Sequence, residues 1–475
     1  MTNKKKKVVL LSPIYNIKER GGKLAVAGAM LPTMSLLYLA SYVRKYGHEV
    51  LICDGSSNNQ TLLEIIEKVK IFNPDLIGIT STTSSISRAA FLAKSLKEVL
   101  ADIPILIGGP HATAIPEETL KRYYFFDAAV VGEGENTLLD VLNALPDNEW
   151  RKVSGLVYYK NNEISCNSSR MLIDNLDNLS FPAWDLISGF PGSFRPAAFR
   201  YRSFPSAHIL TARGCPHRCI FCDTSVFSRK IRFHSAEYIN EVIEYLYNHY
   251  GVREISFEDD TFTIKNERVF KICENMKRKK MKITWTCNGR IDNINQPLLK
   301  VMKESGCWQI SYGVESGCQE ILDFSRKGIN LEQIKKTLFI TNKAGIRTKG
   351  YFIFGFPNET EETMNKTIKF AKSLPLNDIS VMLMTPFPGS EMFRIAKNYG
   401  TLNDNWDEMN LLQPVFIPKN LTAQELIEMQ NKFLKDFYFR AKIIFSYLVQ
   451  SLLYPRAGLS YIKAGLVLLS NQNKK

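Results

Sequence analysis

The densest run of cysteines in the chain reads Thr211-Ala212-Arg213-Gly214-Cys215-Pro216-His217-Arg218-Cys219-Ile220-Phe221-Cys222. It begins at the end of an apolar segment, His208–Ala212, that predicts a buried strand. The three cysteines are spaced C-x3-C-x2-C, whereas the other six of the nine cysteines stand singly. Because scattered cysteines do not build a disulfide framework, this cluster indicates thiol or metal chemistry on a loop that follows a strand.

Three thiolates on one short loop can each bind one iron of a cubane iron–sulfur cluster. With Cys215, Cys219 and Cys222 as ligands, the fourth iron has no protein ligand and is free for a small chelating molecule. S-adenosylmethionine (SAM) can bind such an iron through its amino and carboxylate groups. An electron from the cluster then cleaves the C–S bond of SAM and releases a 5′-deoxyadenosyl radical. We therefore predict a [4Fe–4S] cluster that generates a radical.

The same three cysteines allow three other interpretations. A structural zinc ion could use them with a nearby histidine such as His217, although zinc sites usually pair C-x2-C knuckles that lie further apart. A complete ferredoxin site would need a fourth cysteine nearby, and none follows before Cys273. Chance clustering is the third possibility. The preceding strand, Gly214-Cys215-Pro216 and the aromatic Phe221 favour the radical-generating cluster.

The loop resembles the signature of the radical SAM superfamily, and the resemblance continues over about residues 205–400. Five later segments resemble the superfamily in order, each at the end of a predicted strand: Ser256–Phe262, Cys287–Arg290, Gly313–Gly317, Gly350–Pro357 and Thr385–Ser390. The resemblance implies that SAM is held by Phe221, Glu258, Asp259, Asp260, Arg290, Glu315, Ser316 and Gly355. Alternatively, the three acids could cap a helix and the arginine could form a surface ion pair.

The first 145 residues alternate short β-branched runs with longer amphipathic segments. The predicted strands are Val8–Leu11, Val50–Cys53, Leu76–Thr80, Ile103–Ile107 and Ala128–Val131. Five strand–helix units predict a doubly wound, Rossmann-like parallel sheet of the α/β class, with ligands beyond the carboxyl ends of the strands. Tight turns follow four of these strands: Asp54–Ser57, Thr80–Thr83, Gly108–His111 and Gly132–Glu135.

The order of the two modules resembles the cobalamin-binding radical SAM enzymes, which include methyltransferases and anaerobic magnesium-protoporphyrin ester cyclases. The segment Pro32–Ala40 resembles their first helix, and two of the turns resemble their fourth- and fifth-strand loops. The resemblance makes cobalamin a third expected cofactor, beside the cluster and SAM. The residues expected to contact it are Ser81, Thr82, Gly108, Gly109, Gly132 and Glu133.

One departure from the corrinoid pattern concerns the lower axial ligand. Many corrinoid proteins supply a histidine from a D-x-H-x-x-G loop, but here Asp54 is followed by Gly55 and Ser56. His111 is the only histidine on the predicted ligand edge apart from His48, and we interpret it as a loop residue that bonds backbone or cofactor amides. The alternative for this domain is a vestigial fold that binds no corrinoid and serves as a substrate platform.

From Ala207 onward, six strand–helix repeats predict an open, partial (βα)6 barrel whose working face is the carboxyl end of its strands. The sequence thus predicts a cobalamin-binding-like domain over residues 1–146 and a hairpin with an irregular linker over 147–205. The radical SAM barrel follows over 206–415, and a helical C-terminal region occupies 416–475.

Charge and hydropathy bear on the partners. The chain carries 61 Lys and Arg against 47 Asp and Glu, a net charge of +14 that suits anionic partners or a solvated lysine-rich surface. The apolar run Val8–Leu11 is too short for a signal-peptide core, and no apolar stretch approaches the ~20 residues of a membrane span. The basic, aromatic tail can lie in a membrane interface or pack on the barrel. We expect a cytoplasmic protein; packing of the tail on the barrel is the favoured alternative, and the interfacial one would add peripheral contact to the inner membrane face.

These cofactors imply methylation of an unactivated carbon, or radical cyclisation or rearrangement. We expect a small-molecule or lipid-like substrate, a ferredoxin or flavodoxin as reductant, and no nucleic acid. A tRNA methylthiotransferase would carry three cysteines in an N-terminal domain, and the first 165 residues hold only Cys53. A non-catalytic metal-binding or RNA-binding module would lack the ordered SAM segments. The sequence identifies neither the substrate nor the hydrogen donor, for which Cys318 or a tyrosine are candidates.

Overall fold

The structure is a computed structural model that describes residues 5–14, 28–55, 60–145, 148–194 and 196–461. Its first sheet has seven strands, β1 (Lys7–Ser12), β2 (Glu49–Asp54), β3 (Leu76–Thr80), β4 (Ile105–Gly108), β5 (Ala128–Val130), β6 (Leu156–Lys160) and β7 (Glu163–Cys166). The strand order is β2-β1-β3-β4-β5-β6-β7, with β1 to β5 parallel. The 2-1-3-4-5 order of the parallel strands confirms the predicted doubly wound sheet.

Helices cover both faces of this sheet. They are α1 (Met34–Lys45), α2 (Leu62–Phe72), α3 (Ile86–Lys97), α4 (Pro110–Ala114), α5 (Pro116–Arg122) and α6 (Glu135–Ala144). Alternate residues of β1 enter different cores, since Val8 and Leu10 belong to one apolar cluster and Val9 and Leu11 to another. Burial on both faces explains why the strands read as continuous apolar runs in the sequence.

Strands β6 and β7 form a hairpin that pairs antiparallel with β5. Its turn residues, Asn161 and Asn162, have φ of 51° and 65°, the left-handed conformation that a two-residue hairpin turn requires. The hairpin predicted within the linker therefore extends the first sheet.

The later strands of the chain are β8 (Ser206–Ile209), β9 (Ala212–Arg213), β10 (Arg232–Phe233), β11 (Glu254–Phe257), β12 (Thr284–Gly289), β13 (Cys307–Glu315), β14 (Arg347–Phe354), β15 (Asp378–Leu383), β16 (Gly400–Leu402) and β17 (Phe416–Pro418). Six of them form a second, parallel sheet in the order β15-β14-β13-β12-β11-β8, which confirms the six-repeat barrel. The helices are α7 (Ala236–His249), α8 (Asn266–Arg278), α9 (Gln296–Glu304), α10 (Gln319–Phe324), α11 (Leu331–Lys343), α12 (Glu361–Ser373), α13 (Glu391–Tyr399), α14 (Ala423–Tyr438) and α15 (Ala441–Leu453).

Helix α14 covers β15, the edge strand of the barrel sheet. Gln430 donates to the carbonyl of Val381 at 2.9 Å, and the Tyr438 hydroxyl donates to the carbonyl of Ile379 at 2.8 Å. Phe433 is buried against the rings of Phe352 and Phe354. This part of the tail packs on the barrel and satisfies an edge that would otherwise be open. No helix within the described ranges is long and apolar enough to cross a membrane.

Candidate functional site

A cavity of about 630 Å³ opens between the strand ends of the first sheet and the cysteine loop of the barrel. All six residues expected to contact cobalamin line it, namely Ser81, Thr82, Gly108, Gly109, Gly132 and Glu133. Cys215, Asp260 and Arg213 line it from the barrel. The carboxyl ends of both parallel sheets therefore face one space, as the topology rule for ligand sites requires.

The first-sheet side of this cavity fits a bulky cofactor. The Ser81 hydroxyl is buried and has no hydrogen-bond partner among the described residues, so it is available to a ligand. A Cβ built at Gly108 would have no heavy atom nearer than Val130 Cβ at 3.9 Å, whereas one at Gly109 would clash with the carbonyl of Ser81 at 2.6 Å. Gly109 has φ of 93°, which lets the backbone turn there without a side chain. These residues would hold cobalamin against the strand ends.

Glu133 lines the cavity, but its carboxylate is bound within the protein. One oxygen accepts from Arg213 at 2.7 Å, and the other accepts from Arg232 at 2.8 Å and from the backbone N–H of Ile173 at 2.8 Å. Glu135 accepts from the second Nη of Arg213 at 2.6 Å. Burial lowers the pKa of Arg213, but the two carboxylates outweigh it and hold the pKa above its usual value. Buried ion pairs thus join the loop after β5 to the two-stranded β9–β10 ribbon on either side of the cysteine loop.

The cysteine loop is fixed by backbone contacts. Cys215 N–H donates to the carbonyl of Ser228 at 3.4 Å, and Ile220 N–H donates to that of Ser325 at 3.1 Å. Gly214 has φ of 88°, and a Cβ there would meet the carbonyl of Lys230 at 2.5 Å, so the loop needs glycine. In the described part of the chain, no three His, Cys, Asp or Glu side chains lie close enough together to hold a single metal ion. A cubane cluster does not require this, because each thiolate binds a different iron.

Lys327 is a functional candidate that sequence reasoning missed. Its Nζ lies 2.6 Å from Oε1 of the buried Glu315, its own side chain is 11% exposed, and the ring of Phe221 is 5.9 Å away. Burial lowers the pKa of Lys327, but Glu315 and the Cys219 thiol outweigh it and raise the pKa above its usual value. A Cβ at Gly313 would meet both charged groups, at 2.3 and 2.5 Å. The glycine beside Glu315 therefore makes room for a cation next to the cluster loop.

Arg290 is held beside this pair. It donates to the carbonyl of Lys327 at 2.8 Å and to Asp292 at 3.0 and 3.1 Å. Glu315, its neighbour across the site, has φ of 64°, an uncommon conformation for a residue with a side chain. Such backbone strain tends to occur at functional sites. Two cations, each paired with its own carboxylate, thus lie near Cys219, an arrangement that suits a ligand with both amino and carboxylate groups.

The three acids after β11 have different surroundings. Glu258 accepts from Arg200 at 3.1 Å, and Asp259 accepts from the backbone N–H groups of Thr211 and Ala212. Both carboxylates are therefore occupied by the protein, and neither caps a helix. Asp260 lines the cavity and remains exposed to it. Among the three, Asp260 is placed best to contact a ligand.

Ser316 and Gly355 lie deeper in the barrel. The hydroxyl of Ser316 bonds that of Thr367 at 3.1 Å, which leaves its side chain turned into the core. Gly355 has φ of 94°, and its N–H donates to Glu359 at 2.6 Å. Glu359, which the sequence interpretation did not include, is fully buried with one oxygen unpartnered among the described residues, and burial raises its pKa to about 8. This carboxyl group accepts from the N–H groups of Gly355 and Phe356 and so supports the turn at the end of β14.

His111 does not line the cavity. Its Nδ1 lies 3.2 Å from Thr83 Oγ1, and its ring packs edge-on against Trp406 at 4.5 Å. Burial, with a contribution from Arg122, lowers its pKa to about 3. The histidine is therefore a neutral core residue, and the expected bond to cofactor amides is replaced by one to a threonine. Asp54, at the position of the missing corrinoid motif, accepts from the N–H of Thr33 at 2.7 Å and fixes the start of α1.

Comparisons with known proteins match both modules. The model of the B12 binding domain matches residues 22–142, and that of the radical SAM superfamily matches residues 209–371. The chain is 35% identical over 422 residues to an uncharacterized methyltransferase of Pyrococcus horikoshii, covering 88% of this chain and 90% of that protein. It is 27% identical over 430 residues to the anaerobic magnesium-protoporphyrin IX monomethyl ester cyclase of Rubrivivax gelatinosus, covering 89% and 75%.

Among solved structures, the fold is similar to that of OxsB, a cobalamin-dependent S-adenosylmethionine radical enzyme with aqua-cobalamin and S-adenosylmethionine bound. The TM-score is 0.76 at 18% identity, and the alignment covers 98% of this chain and 72% of OxsB. The likeness therefore includes both sheets in one arrangement.

Proposed function

We propose that methyl transfer or radical cyclisation takes place in the cavity between the two sheets of this protein. The chain belongs to the radical SAM enzymes with a B12-binding domain, and its cofactors are a [4Fe–4S] cluster, SAM and cobalamin. One observation carries the proposal. The six expected cobalamin contacts share a cavity with Cys215 and Asp260. A substrate there could be reached from both cofactors.

The chain's own residues have distinct proposed roles. Cys215, Cys219 and Cys222 would ligate the cluster. Lys327 and Arg290 would bind the carboxylate of SAM, and the carboxylate of Glu315 would hold Lys327 in position for this contact. Asp260 would accept a hydrogen bond from the ligand. When bound, the cluster and SAM supply a carbon-centred radical, and cobalamin supplies a methyl group. The buried arginine pairs at Glu133 would hold the two cofactor loops at a fixed separation.

Methylation is the first candidate reaction, because the relative that is 35% identical is named a methyltransferase. Cyclisation is the second, since a cyclase is 27% identical over a similar share of the chain. The substrate class stays open within small molecules. The tail that suggested a lipid-like substrate does not favour one now, because α15 contacts Arg347 at the amino end of β14, away from the cavity.

A one-electron donor of the ferredoxin or flavodoxin type would reduce the cluster. Arg218, Arg229 and Lys230 are exposed around the cysteine loop and would favour an acidic carrier. Peripheral association with a membrane is compatible with this function but not required by it.

The test is anaerobic reconstitution with iron and sulfide, with and without methylcobalamin, followed by analysis of SAM products under reductant. We expect 5′-deoxyadenosine in both samples, and methyl transfer to substrate only with cobalamin. The triple variant C215A/C219A/C222A should form neither product, which controls for chemistry outside the cluster. A protein that takes up zinc and forms no 5′-deoxyadenosine would contradict the proposal.

A further inference from the structure

The outward side of α15 is apolar. Ile444, Phe445, Leu448 and Leu452 follow one another at helical spacing and are 45%, 69%, 58% and 82% exposed. Leu459, beyond the helix, is also exposed. Because these residues share one face, they form a continuous apolar stripe, which we call the α15 stripe and define by Ile444, Phe445, Leu448 and Leu452.

The inward side of the same helix carries polar side chains. Ser446 accepts a hydrogen bond from Arg347 at 2.8 Å, and Gln450 accepts one from Arg202 at 2.9 Å. Ile443 is the buried apolar residue of this helix. An ordinary surface helix turns its apolar stripe to the core and its polar residues to water. In α15 Tyr447 also packs inward, against Phe199 and Tyr461, yet the four large apolar residues of the stripe face outward. This indicates that something apolar covers them.

The charge around the stripe selects among possible occupants. From Phe437 to the end of the sequence there is no Asp or Glu, whereas Arg440, Lys442 and Arg456 flank the stripe and three further lysines follow Tyr461. A second copy of the chain would bring the same cations into contact with these, and so would residues 462–475. An anionic lipid surface offers apolar depth together with opposite charge, the combination that interfacial helices bind.

We propose that the α15 stripe inserts into the interfacial region of a bilayer that contains anionic lipid, with Lys442 and Arg456 at the headgroups. The inference does not rest on the proposed chemistry. Ser446 bonds to Arg347 at the amino end of β14, so a bound protein would keep its cavity on the side away from the lipid. The contact would therefore localise the enzyme and would not deliver substrate to the cavity.

The test is co-flotation of the full chain with vesicles of phosphatidylcholine alone or with about 30% phosphatidylglycerol. We expect binding to the anionic vesicles that weakens as salt rises from about 0.05 to about 0.5 M. The variant F445S/L448S should bind the anionic vesicles at least about tenfold more weakly than the unmodified chain does. The matched control is L63S/I71S, which removes two residues of α2 that are 74% and 82% exposed, and it should bind like the unmodified chain.

Several results would overturn the proposal. They are absence of binding to anionic vesicles at low salt, equal binding by F445S/L448S, and equal losses in the two double variants. If the unmodified chain sediments as a dimer and F445S/L448S sediments as a monomer, the stripe binds a second copy of the chain. Vesicle binding that appears only after truncation at Tyr461 would assign it to residues 462–475. SAM cleavage by the same samples should be unchanged, so failure here is distinct from failure of the proposed function.

Discussion

Arg213 and Glu133 form a buried ion pair, with 2.7 Å between Nη1 and Oε1, that links the β9–β10 ribbon to the loop after β5. Arg213 precedes Cys215 by two residues, and Glu133 lies in the loop after β5 that is expected to contact cobalamin. Arg232 occupies the other oxygen of Glu133 at 2.8 Å. Both side chains of the first pair are less than a tenth exposed, so the loop after β5 and the cysteine loop are connected by a contact that salt screens little.

Replacing Glu133 by glutamine should destabilise the protein strongly. The change leaves Arg232 without its carboxylate and Arg213 with Glu135 alone, and breaking a buried pair costs about 3–5 kcal/mol. The measurement is urea unfolding of the E133Q variant. The exposed pair of Glu67 and Lys70 provides a control, because E67Q should cost under about 1 kcal/mol. Equal losses in the two variants would contradict the buried role.

Replacing Lys327 by methionine should weaken SAM binding. The variant loses the cation beside Cys219 and leaves Glu315 as an unpaired buried carboxylate, so we expect the KM for SAM to rise about tenfold or more. The double variant K327M/E315Q removes the stranded charge and should restore stability without restoring the KM. Arg326→Gln, which alters the exposed neighbour, serves as the control. A KM unchanged in K327M would rule out the proposed contact.

Glu359 should make stability depend on pH. Burial raises its pKa from 4.5 to about 8, so the folded protein holds a proton that the unfolded chain has lost between these values. This contribution is fully present below the unfolded pKa and is lost as pH rises through about 8. Unfolding free energies between about pH 5 and about pH 9 should therefore decline less steeply in E359Q than in the unmodified protein. Identical slopes would show that Glu359 is not protonated in the folded state.

Replacing His111 by glutamine should leave the corrinoid spectrum unchanged. The histidine bonds Thr83 and packs on Trp406 away from the cavity, so it is not placed to ligate cobalt. We expect a stability loss of about 1–3 kcal/mol from the core change. Electron paramagnetic resonance of the cob(II)alamin form is the direct measurement. Nitrogen hyperfine structure that disappears in H111Q would show that the assignment is wrong.

The sequence predicted the parts of the fold and site that depend on local pattern. Strand β1 was predictable because Val8 to Leu11 are buried on both faces, and the cysteine loop because its ligands are neighbours in the chain. Ion pairs between residues that lie far apart in the chain have no signature in the local sequence pattern. Nothing near Glu133 indicates Arg213, which is 80 positions later, so the sequence assigned that carboxylate to cobalamin.

Lys327 and Glu359 were missed for a related reason. Each is an ordinary charged residue in the sequence, and only the fold shows that Lys327 pairs with the buried Glu315 and that Glu359 lies under the turn at Gly355. The tail was predicted as either interfacial or packed. The structure divides it, since α14 packs on the edge strand while α15 presents its apolar stripe outward.

The most direct test of a cavity shared by the cofactors is a titration of the cluster-loaded protein with hydroxocobalamin, in which binding is measured by absorption spectroscopy. We expect about one equivalent to bind. The variant Gly108→Leu should abolish binding while SAM cleavage persists, because a side chain there has room to enter the cavity without backbone strain. Failure of the unmodified protein to bind the corrinoid, or equally tight binding by the leucine variant, would show that the cofactors do not share this cavity.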